Sequence, residues 1–209
     1  MKKVITVILI IAVLLVGGWF VFFRTETQLA ASIRNYPSSG ENIIAFGDSL
    51  VFGVGSENGG FVQKLSDQIG QPIINEGVPG NTTEQALKRI NSVLEQDPKI
   101  VIVLLGGNDA LQKVPVSETF KKLDEIITKI EERGAIVVLL GVQGGILSDP
   151  YSDQFKELAK KHDSAFIPHI LAGVFGNKEF MYDTVHPNDA GYQKIADKIK
   201  PLLQSLVKI

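Results

Sequence analysis

The 209-residue sequence contains no cysteine, which excludes a disulfide framework, a cysteine metal site and a thiolate nucleophile. Histidine is scarce as well, with three residues in the whole chain. Neither sign of charge is in excess, because 21 basic and 23 acidic residues give a formal net charge of −2. Without a basic cluster or a positive field, the sequence predicts no nucleic-acid partner.

Charged residues are also missing from residues 4–23, an apolar run that follows Lys2 and Lys3. Twenty residues of helix rise about 30 Å, which is the thickness of a bilayer core. A cleaved secretory signal is the alternative, although its apolar run is normally only about 7–15 residues long. The aromatic end of the run, which includes Trp19, favours an uncleaved anchor over residues 1–23. Either interpretation predicts that the rest of the chain lies outside the cytoplasm, membrane-bound or secreted.

The segment 24–41 is mostly polar and contains Pro-Ser-Ser-Gly near its end, as expected for a juxtamembrane stem. If flexible, it would span about 20–25 Å. A globular domain is predicted over residues 42–209, where short apolar runs alternate with helical patterns. The runs are rich in Val and Ile, like strands buried on both faces, and cover residues 42–46, 72–75, 99–105, 135–140 and 165–168. This alternation predicts an α/β three-layer sandwich with a five-stranded parallel sheet.

Three helical segments follow from periodicity and capping signals. Residues 117–134 place their apolar side chains on one face and end in a glycine. Residues 81–94 begin with a capping box in which either Asn81 or Thr82 is the N-cap. The last helix is predicted to begin after Pro187.

In parallel sheets ligands collect outside the carboxyl ends of the strands, so the loops there are candidate site walls. The first such loop contains "FGDSL", with Ser49 directly after Asp48. Its glycines do not fit the dinucleotide, Walker or G-x-S-x-G spacings. An isolated Gly-Asp-Ser is typical of a turn, and we expect Asp48 to have a local structural role.

Other loops supply groups that would make Ser49 chemically useful. Asn108, in "GGND", can donate two N–H groups from its side chain, and Gly80, in "VPGNTT", can present a backbone N–H at close range. In "DTVHP", Asp183 precedes His186 by three residues, so its carboxylate can hold one ring nitrogen while the other faces a pocket. Each motif alone also fits a turn or a helix cap.

The remaining two histidines have weaker signals. His162 follows two lysines, and we expect it at the solvated end of a helix. His169 follows the fifth predicted strand and is expected to line the rim of the site, without an obvious partner in the sequence.

In their order along the chain, "FGDSL", "VPGNTT", "GGND" and "DTVHP" resemble the motifs of the SGNH hydrolases, also called the GDSL esterase/lipase family. The resemblance covers residues 42–209, and the chain is most similar to the bacterial thioesterase/lysophospholipase/arylesterase branch. It implies the SGNH, flavodoxin-like fold and a carboxylic ester hydrolase that needs neither a metal nor an organic cofactor.

The resemblance also implies a role for each motif residue. Ser49 would be the nucleophile and His186 the general base, oriented by Asp183. The oxyanion hole would consist of the backbone N–H groups of Ser49 and Gly80 and the side-chain amide of Asn108.

We therefore expect a membrane-anchored serine esterase that hydrolyses carboxylic acyl esters of the lysophospholipid, aryl or thioester type outside the cytoplasm. The anchor is the sequence argument for a lipid substrate. A carbohydrate O-deacetylase or an acyltransferase of the cell envelope is the alternative, because the acyl-enzyme is common to all of them. A binding module without catalysis is disfavoured, since it would not need the full set of motif residues. The loop over residues 141–155 is expected to shape the substrate pocket.

Overall fold

The computed structural model describes residues 32–144 and 149–207. Within these two ranges no helix is long and apolar enough to cross a membrane. The predicted anchor, residues 1–23, lies outside them.

One sheet of five parallel strands forms the centre of the domain, in the order β2-β1-β3-β4-β5. The strands are β1 (Asn42–Gly47), β2 (Ile73–Gly77), β3 (Pro98–Leu104), β4 (Ile136–Leu140) and β5 (Ala165–Ile167). Each coincides with one of the predicted apolar runs. β3 and β4 lie inside the sheet and are buried almost throughout, which explains why their Val and Ile run without polar interruption.

Eight helices of the described residues cover the sheet. They are α1 (Ser49–Phe52), α2 (Gly60–Ile69), α3 (Thr83–Lys88), α4 (Asn91–Leu94), α5 (Gly107–Leu111), α6 (Val116–Glu132), α7 (Tyr151–Lys161) and α8 (Asp189–Val207). α2 packs against α8, while α6 packs against both α3 and α7. The sheet lies between these groups of helices, and the predicted α/β fold with a five-stranded parallel sheet is confirmed.

The predicted helix over residues 81–94 differs in detail, because the structure divides it into α3 and α4. Of the two possible N-caps, Thr82 is the correct one. Its hydroxyl accepts the backbone N–H of Gln85, and the Gln85 side chain accepts the backbone N–H of Thr82 in return.

The described part of the predicted stem, residues 32–41, packs against the domain. The Asn35 side chain donates to the carbonyl of Ala135 at 3.0 Å, and Glu41 donates its backbone N–H to Asp97 at 3.1 Å. These acceptors directly precede β4 and β3. The chain therefore enters the domain along the amino edge of the sheet, opposite the edge where the strands end.

The expectation that His162 is solvated is wrong. The residue is only 4% exposed, because α7 packs its end against α6. One ring nitrogen lies 2.8 Å from a carboxylate oxygen of Glu131, and the other lies 2.7 Å from a carboxylate oxygen of Asp124. The two lysines before His162 are solvated, but the ring itself turns inward between two carboxylates.

Candidate active site

Ser49 lies at the point where β1 ends and α1 begins. Asp48 is the N-cap of α1, and its side chain accepts the backbone N–H of Leu50 at 3.0 Å. The expected local structural role of Asp48 is thus present. Gly47 permits the tight exit from the strand, because a Cβ there would overlap the carbonyl oxygen of Leu104. The short turn leaves the Ser49 side chain at the carboxyl edge of the sheet, 8% exposed.

Three of the predicted residues form a continuous chain of hydrogen-bond contacts. The Oγ of Ser49 lies 2.9 Å from Nε2 of His186, although 137 residues separate them in sequence. On the other side of the ring, Nδ1 of His186 lies 2.8 Å from Oδ2 of Asp183. A proton on Nδ1 directed at the carboxylate leaves Nε2 as an acceptor for the Ser49 hydroxyl.

The turn that contains Asp183 also holds its carboxylate in place through backbone hydrogen bonds. Its Oδ1 accepts the backbone N–H groups of Val185 and His186, each at 2.7 Å. The hydrogen bond from the His186 side chain, reinforced by these backbone N–H groups, lowers the pKa of Asp183 to about 2. Asp183 is therefore a carboxylate throughout the neutral range and can orient the ring of His186.

Asn108 and Gly80 belong to neighbouring segments of the same edge. Asn108 lies in the first turn of α5, where its side-chain nitrogen donates to Oδ2 of Asp48 at 3.2 Å and to the carbonyl of Asn81 at 3.1 Å. Gly80 has a φ of 81°, and no atom lies within 4 Å of a Cβ built on it. Glycine is required there by backbone conformation rather than by space.

Asp48 therefore contacts the site more closely than a simple helix cap would. It is 3% exposed, and one of its oxygens accepts from Asn108 while the other accepts from Leu50. Burial raises the pKa of Asp48 to about 6, partly opposed by the Leu50 N–H and by the nearby His186. A carboxyl group that titrates near neutral pH thus lies beside the predicted oxyanion donor.

A cavity of about 320 Å³ opens next to Ser49 and Asn108. Its walls are largely apolar and include Leu111, Val142, Leu171, Ala172, Phe175 and Val185. The predicted pocket loop contributes its first part, including Gly144, and residues 145–148 lie outside the described ranges. The arrangement suits an apolar acyl chain beside the hydroxyl that would attack it.

His169 lines this cavity, as expected, and it has partners that sequence reasoning missed. Its Nε2 lies 3.2 Å from the hydroxyl of Ser152, and its Nδ1 lies 3.6 Å from a carboxylate oxygen of Asp149. Both partners come from the segment around the start of α7, which carried no recognisable motif. The structure thus contains a second serine–histidine contact, apart from that of Ser49.

Two further charged residues near the site were not predicted. Asp109, directly after Asn108, is 1% exposed and accepts hydrogen bonds from Thr83. Arg89, at the end of α3, donates to the ends of two strands. The sequence shows Arg89 only as a charged residue directly before Ile90, an apolar position of a helical pattern. That signal does not indicate a role in the site without knowledge of the fold. Within the described residues, no group of three or more acidic or histidine side chains is arranged for a metal ion.

Comparison with known families defines the class of protein. The GDSL-like lipase/acylhydrolase family matches residues 45–194 of the sequence. The chain belongs to this family and is a carboxylic ester hydrolase of the SGNH type.

Two named bacterial enzymes are among the relatives of the chain. The chain is 26% identical to Esterase TesA of Pseudomonas aeruginosa over 192 residues, which are 86% of this chain and 96% of that protein. It is 28% identical to the thioesterase 1/protease 1/lysophospholipase L1 of Escherichia coli over 180 residues, 81% and 86% of the two chains. A crystal structure of TesA matches with a TM-score of 0.75 at 27% identity, covering 80% of this chain and all of that one (100%). The predicted family and branch are confirmed.

Proposed function

We propose that Ser49 is the nucleophile of this esterase, that His186 is its general base and that Asp183 orients His186. The observation that carries the proposal is the pair of contacts around one imidazole, 2.9 Å to Ser49 and 2.8 Å to Asp183. Nucleophile, base and orienting carboxylate are within hydrogen-bond reach in the order that nucleophilic acyl transfer requires.

The reaction proceeds through an acyl-enzyme. As Oγ of Ser49 bonds to the acyl carbon, its proton passes to Nε2 of His186, and Asp183 stabilises the imidazolium that forms. The tetrahedral intermediate collapses when the bond to the leaving oxygen or sulfur breaks, and His186 returns the proton to that atom. Water then attacks the Ser49 ester by the same route and releases the free acid.

Three donors are proposed to stabilise the oxyanion: the backbone N–H groups of Ser49 and Gly80 and the side-chain amide of Asn108. The Asn108 amide donates to protein acceptors at 3.1 and 3.2 Å in the free enzyme, both longer than an average hydrogen bond. Loss of one oxyanion donor costs about 2.7–4 kcal/mol of barrier in comparable sites.

The substrate is proposed to be a carboxylic acyl ester of the lysophospholipid, aryl or thioester type. The apolar cavity beside Ser49 supports this, because it would take an acyl chain out of water. The relatives named as an esterase and as a thioesterase and lysophospholipase support the same range.

A second candidate is an O-deacetylase or acyltransferase that acts on envelope carbohydrate. The entry of the chain at the amino edge of the sheet favours it, because the site lies at the opposite edge. We propose that residues 1–23 anchor the protein with its domain outside the cytoplasm, in which case the anchored end of the chain joins the domain opposite the edge that carries the site. The mass of the membrane-bound protein tests the anchor, since a cleaved signal would remove this segment.

A fluorophosphonate probe tests the nucleophile. We expect covalent labelling of the full-length wild type and none of Ser49→Ala or His186→Ala. The second serine–histidine contact provides a matched control, because Ser152→Ala and His169→Ala should still be labelled. Full esterase activity in Ser49→Ala would refute the mechanism.

Esters of graded chain length separate the two substrate classes. p-Nitrophenyl acetate and p-nitrophenyl octanoate differ in the apolar chain that the cavity would receive. A higher kcat/KM for octanoate supports the acyl-chain pocket, whereas a clear preference for acetate supports the deacetylase.

A further inference from the structure

Arg89 lies between the strand that leads to Ser49 and the loop that contains Gly80. Its side chain is about four-fifths buried, with 21% of its surface exposed. Burial lowers the pKa of Arg89 and the neighbouring Glu76 raises it, and a guanidinium remains charged in either case. A charge held this far from water requires specific partners.

The first partners are the carboxyl ends of two adjacent strands. The Nη2 of Arg89 donates to the carbonyl of Gly47 at 2.8 Å and to the carbonyl of Glu76 at 3.0 Å. Gly47 ends β1 two residues before Ser49, and Glu76 lies near the end of β2, before the loop that contains Gly80. One nitrogen thus joins the exit of the nucleophile strand to the exit of its neighbour.

The next partner lies in the oxyanion loop itself. The Nε of Arg89 donates to the side-chain oxygen of Asn81 at 2.7 Å, and Asn81 directly follows Gly80. The backbone carbonyl of Asn81 accepts from the amide of Asn108 at 3.1 Å. The guanidinium is therefore connected to both proposed donors that do not belong to Ser49.

An aromatic ring and a carboxylate lie next to the rest of the guanidinium, and Nη1 has no hydrogen-bond acceptor among the described residues. Its guanidinium carbon lies 4.5 Å from the centre of the Phe46 ring, and Nη1 lies 3.6 Å from a carboxylate oxygen of Glu76. The planar group is stacked on an aromatic ring while its edge donates in fixed directions. A lysine ammonium cannot reproduce this geometry, because it is a single point charge without a planar fork.

We propose that Arg89 is a positioning residue that sets the distance between Ser49 and the oxyanion donors of Gly80 and Asn108. The proposal rests on the proposed function, because it acts through those donors. Arg89 itself does not touch the substrate. Its contribution is geometric, and a displacement of about 1 Å in such a site can lower the rate by about 100-fold.

The test is the kcat and KM of full-length Arg89→Met and Arg89→Lys with p-nitrophenyl butyrate. We expect kcat of Arg89→Met to fall by about 10- to 100-fold with KM within about 3-fold, since the affected donors act on the transition state. Arg89→Lys should recover part of the loss. Arg133→Met is the matched control, because Arg133 also donates to a carbonyl, that of Leu94, remote from the site. Its kcat should equal that of the wild type.

A double-variant cycle separates positioning from general stabilisation. Asn81→Ala removes the side-chain acceptor of Arg89 but keeps the backbone carbonyl that Asn108 uses. If Arg89 acts through Asn81, the loss of kcat in the double variant is smaller than the product of the single losses. A product of independent losses, or a folded Arg89→Met with kcat within 2-fold of the wild type, overturns the proposal.

The catalytic roles of Ser49 and Asn108 can be tested separately from the role of Arg89. Ser49→Ala and Asn108→Ala report on the function itself, and their loss of activity does not depend on Arg89. If Arg89→Met does not fold by circular dichroism, folded Arg89→Lys decides, and an unchanged kcat in that variant also overturns the proposal.

Discussion

The carboxylate of Asp109 accepts two hydrogen bonds from Thr83, one from the backbone N–H at 2.9 Å and one from the hydroxyl at 2.6 Å. Both residues are 1% exposed. Asp109 follows Asn108, and Thr83 is the first residue of α3, shortly after Gly80. This buried contact joins the two segments that carry proposed oxyanion donors, and it gives a helix amino terminus a negative partner.

Asp109→Ala should therefore destabilise the fold. It leaves the Thr83 hydroxyl and N–H without their acceptor in a site closed to water, and charged hydrogen bonds contribute about 1.5–3 kcal/mol. Urea unfolding of both proteins measures the difference. Asp153→Ala, an exposed aspartate that pairs with Lys156 on α7, should change stability by less than about 0.5 kcal/mol. Equal losses of stability in the two variants would show that the buried contact stabilises the fold no more than the exposed ion pair does.

Asp48 should produce a pH dependence of stability between about pH 4 and pH 6. Its pKa is 3.8 in the unfolded reference and about 6 in the fold, so the folded state binds the proton more tightly. Its stabilising contribution is thus complete below pH 4 and is lost as the pH rises through 6. A shift of this size corresponds to about 3 kcal/mol.

Urea unfolding of the wild type and Asp48→Asn from pH 4 to pH 7 measures this contribution. The stability of the wild type relative to the variant should decline over that interval, because the asparagine cannot titrate. Asp183 and Asp189 have pKa values lowered to about 2, so their titration changes the stability only below about pH 4, outside this interval. If the stability of the two proteins changed with pH in the same way, Asp48 would not be the source of the pH dependence.

His162→Phe should destabilise the protein by about 3 kcal/mol. The substitution keeps a ring of similar volume but removes both nitrogens, which leaves the Glu131 carboxylate, with 8% of its side chain exposed, only its 3.6 Å contact with the Arg34 guanidinium. Thermal or urea unfolding measures the loss. Lys161→Ala is the control, because it removes an exposed partner of Asp124 and should cost less than 1 kcal/mol. Unchanged stability in His162→Phe would mean that the two carboxylates are satisfied without the ring.

Ala172→Phe should change the preference for acyl chain length. Ala172 lines the cavity beside Ser49, and a phenyl ring there would occupy volume that a long chain needs. We expect kcat/KM for p-nitrophenyl octanoate to fall by about 10- to 100-fold and that for the acetate to change by less than about 3-fold. Ala190→Phe, on the exposed start of α8, should leave kcat/KM for both esters unchanged. Equal losses with both esters would place the acyl chain elsewhere.

The sheet was predictable because its strands are marked locally. Residues 99–105 and 135–140 are continuous runs of Val, Ile and Leu, and a strand covered by helices on both faces needs no polar residue. The split of 81–94 into α3 and α4 was not predictable, because capping and periodicity describe where a helix can form. They do not report the tertiary contacts that end it.

Part of the site was also local. Asp183 and His186 are three residues apart, so a single turn brings carboxylate and ring together. The contact of Asp124 and Glu131 with His162 spans two helices, and no spacing in the sequence indicates it. The sequence predicts a solvated His162 because the two residues before it are lysines. The packing of α7 on α6 instead decides where the ring lies, and it buries the ring.

The sequence by itself determined the order of the five strands along the chain, the family motifs and the short-range contact of Asp183 with His186, because each depends on residues close together in the chain. Only the tertiary structure decided that Ser49 meets His186 across 137 residues and that Arg89 joins strand ends to the oxyanion loop. The physical reason is that parallel strands end at one edge of the sheet. Loops far apart in sequence converge there, and their contacts are set by packing rather than by spacing.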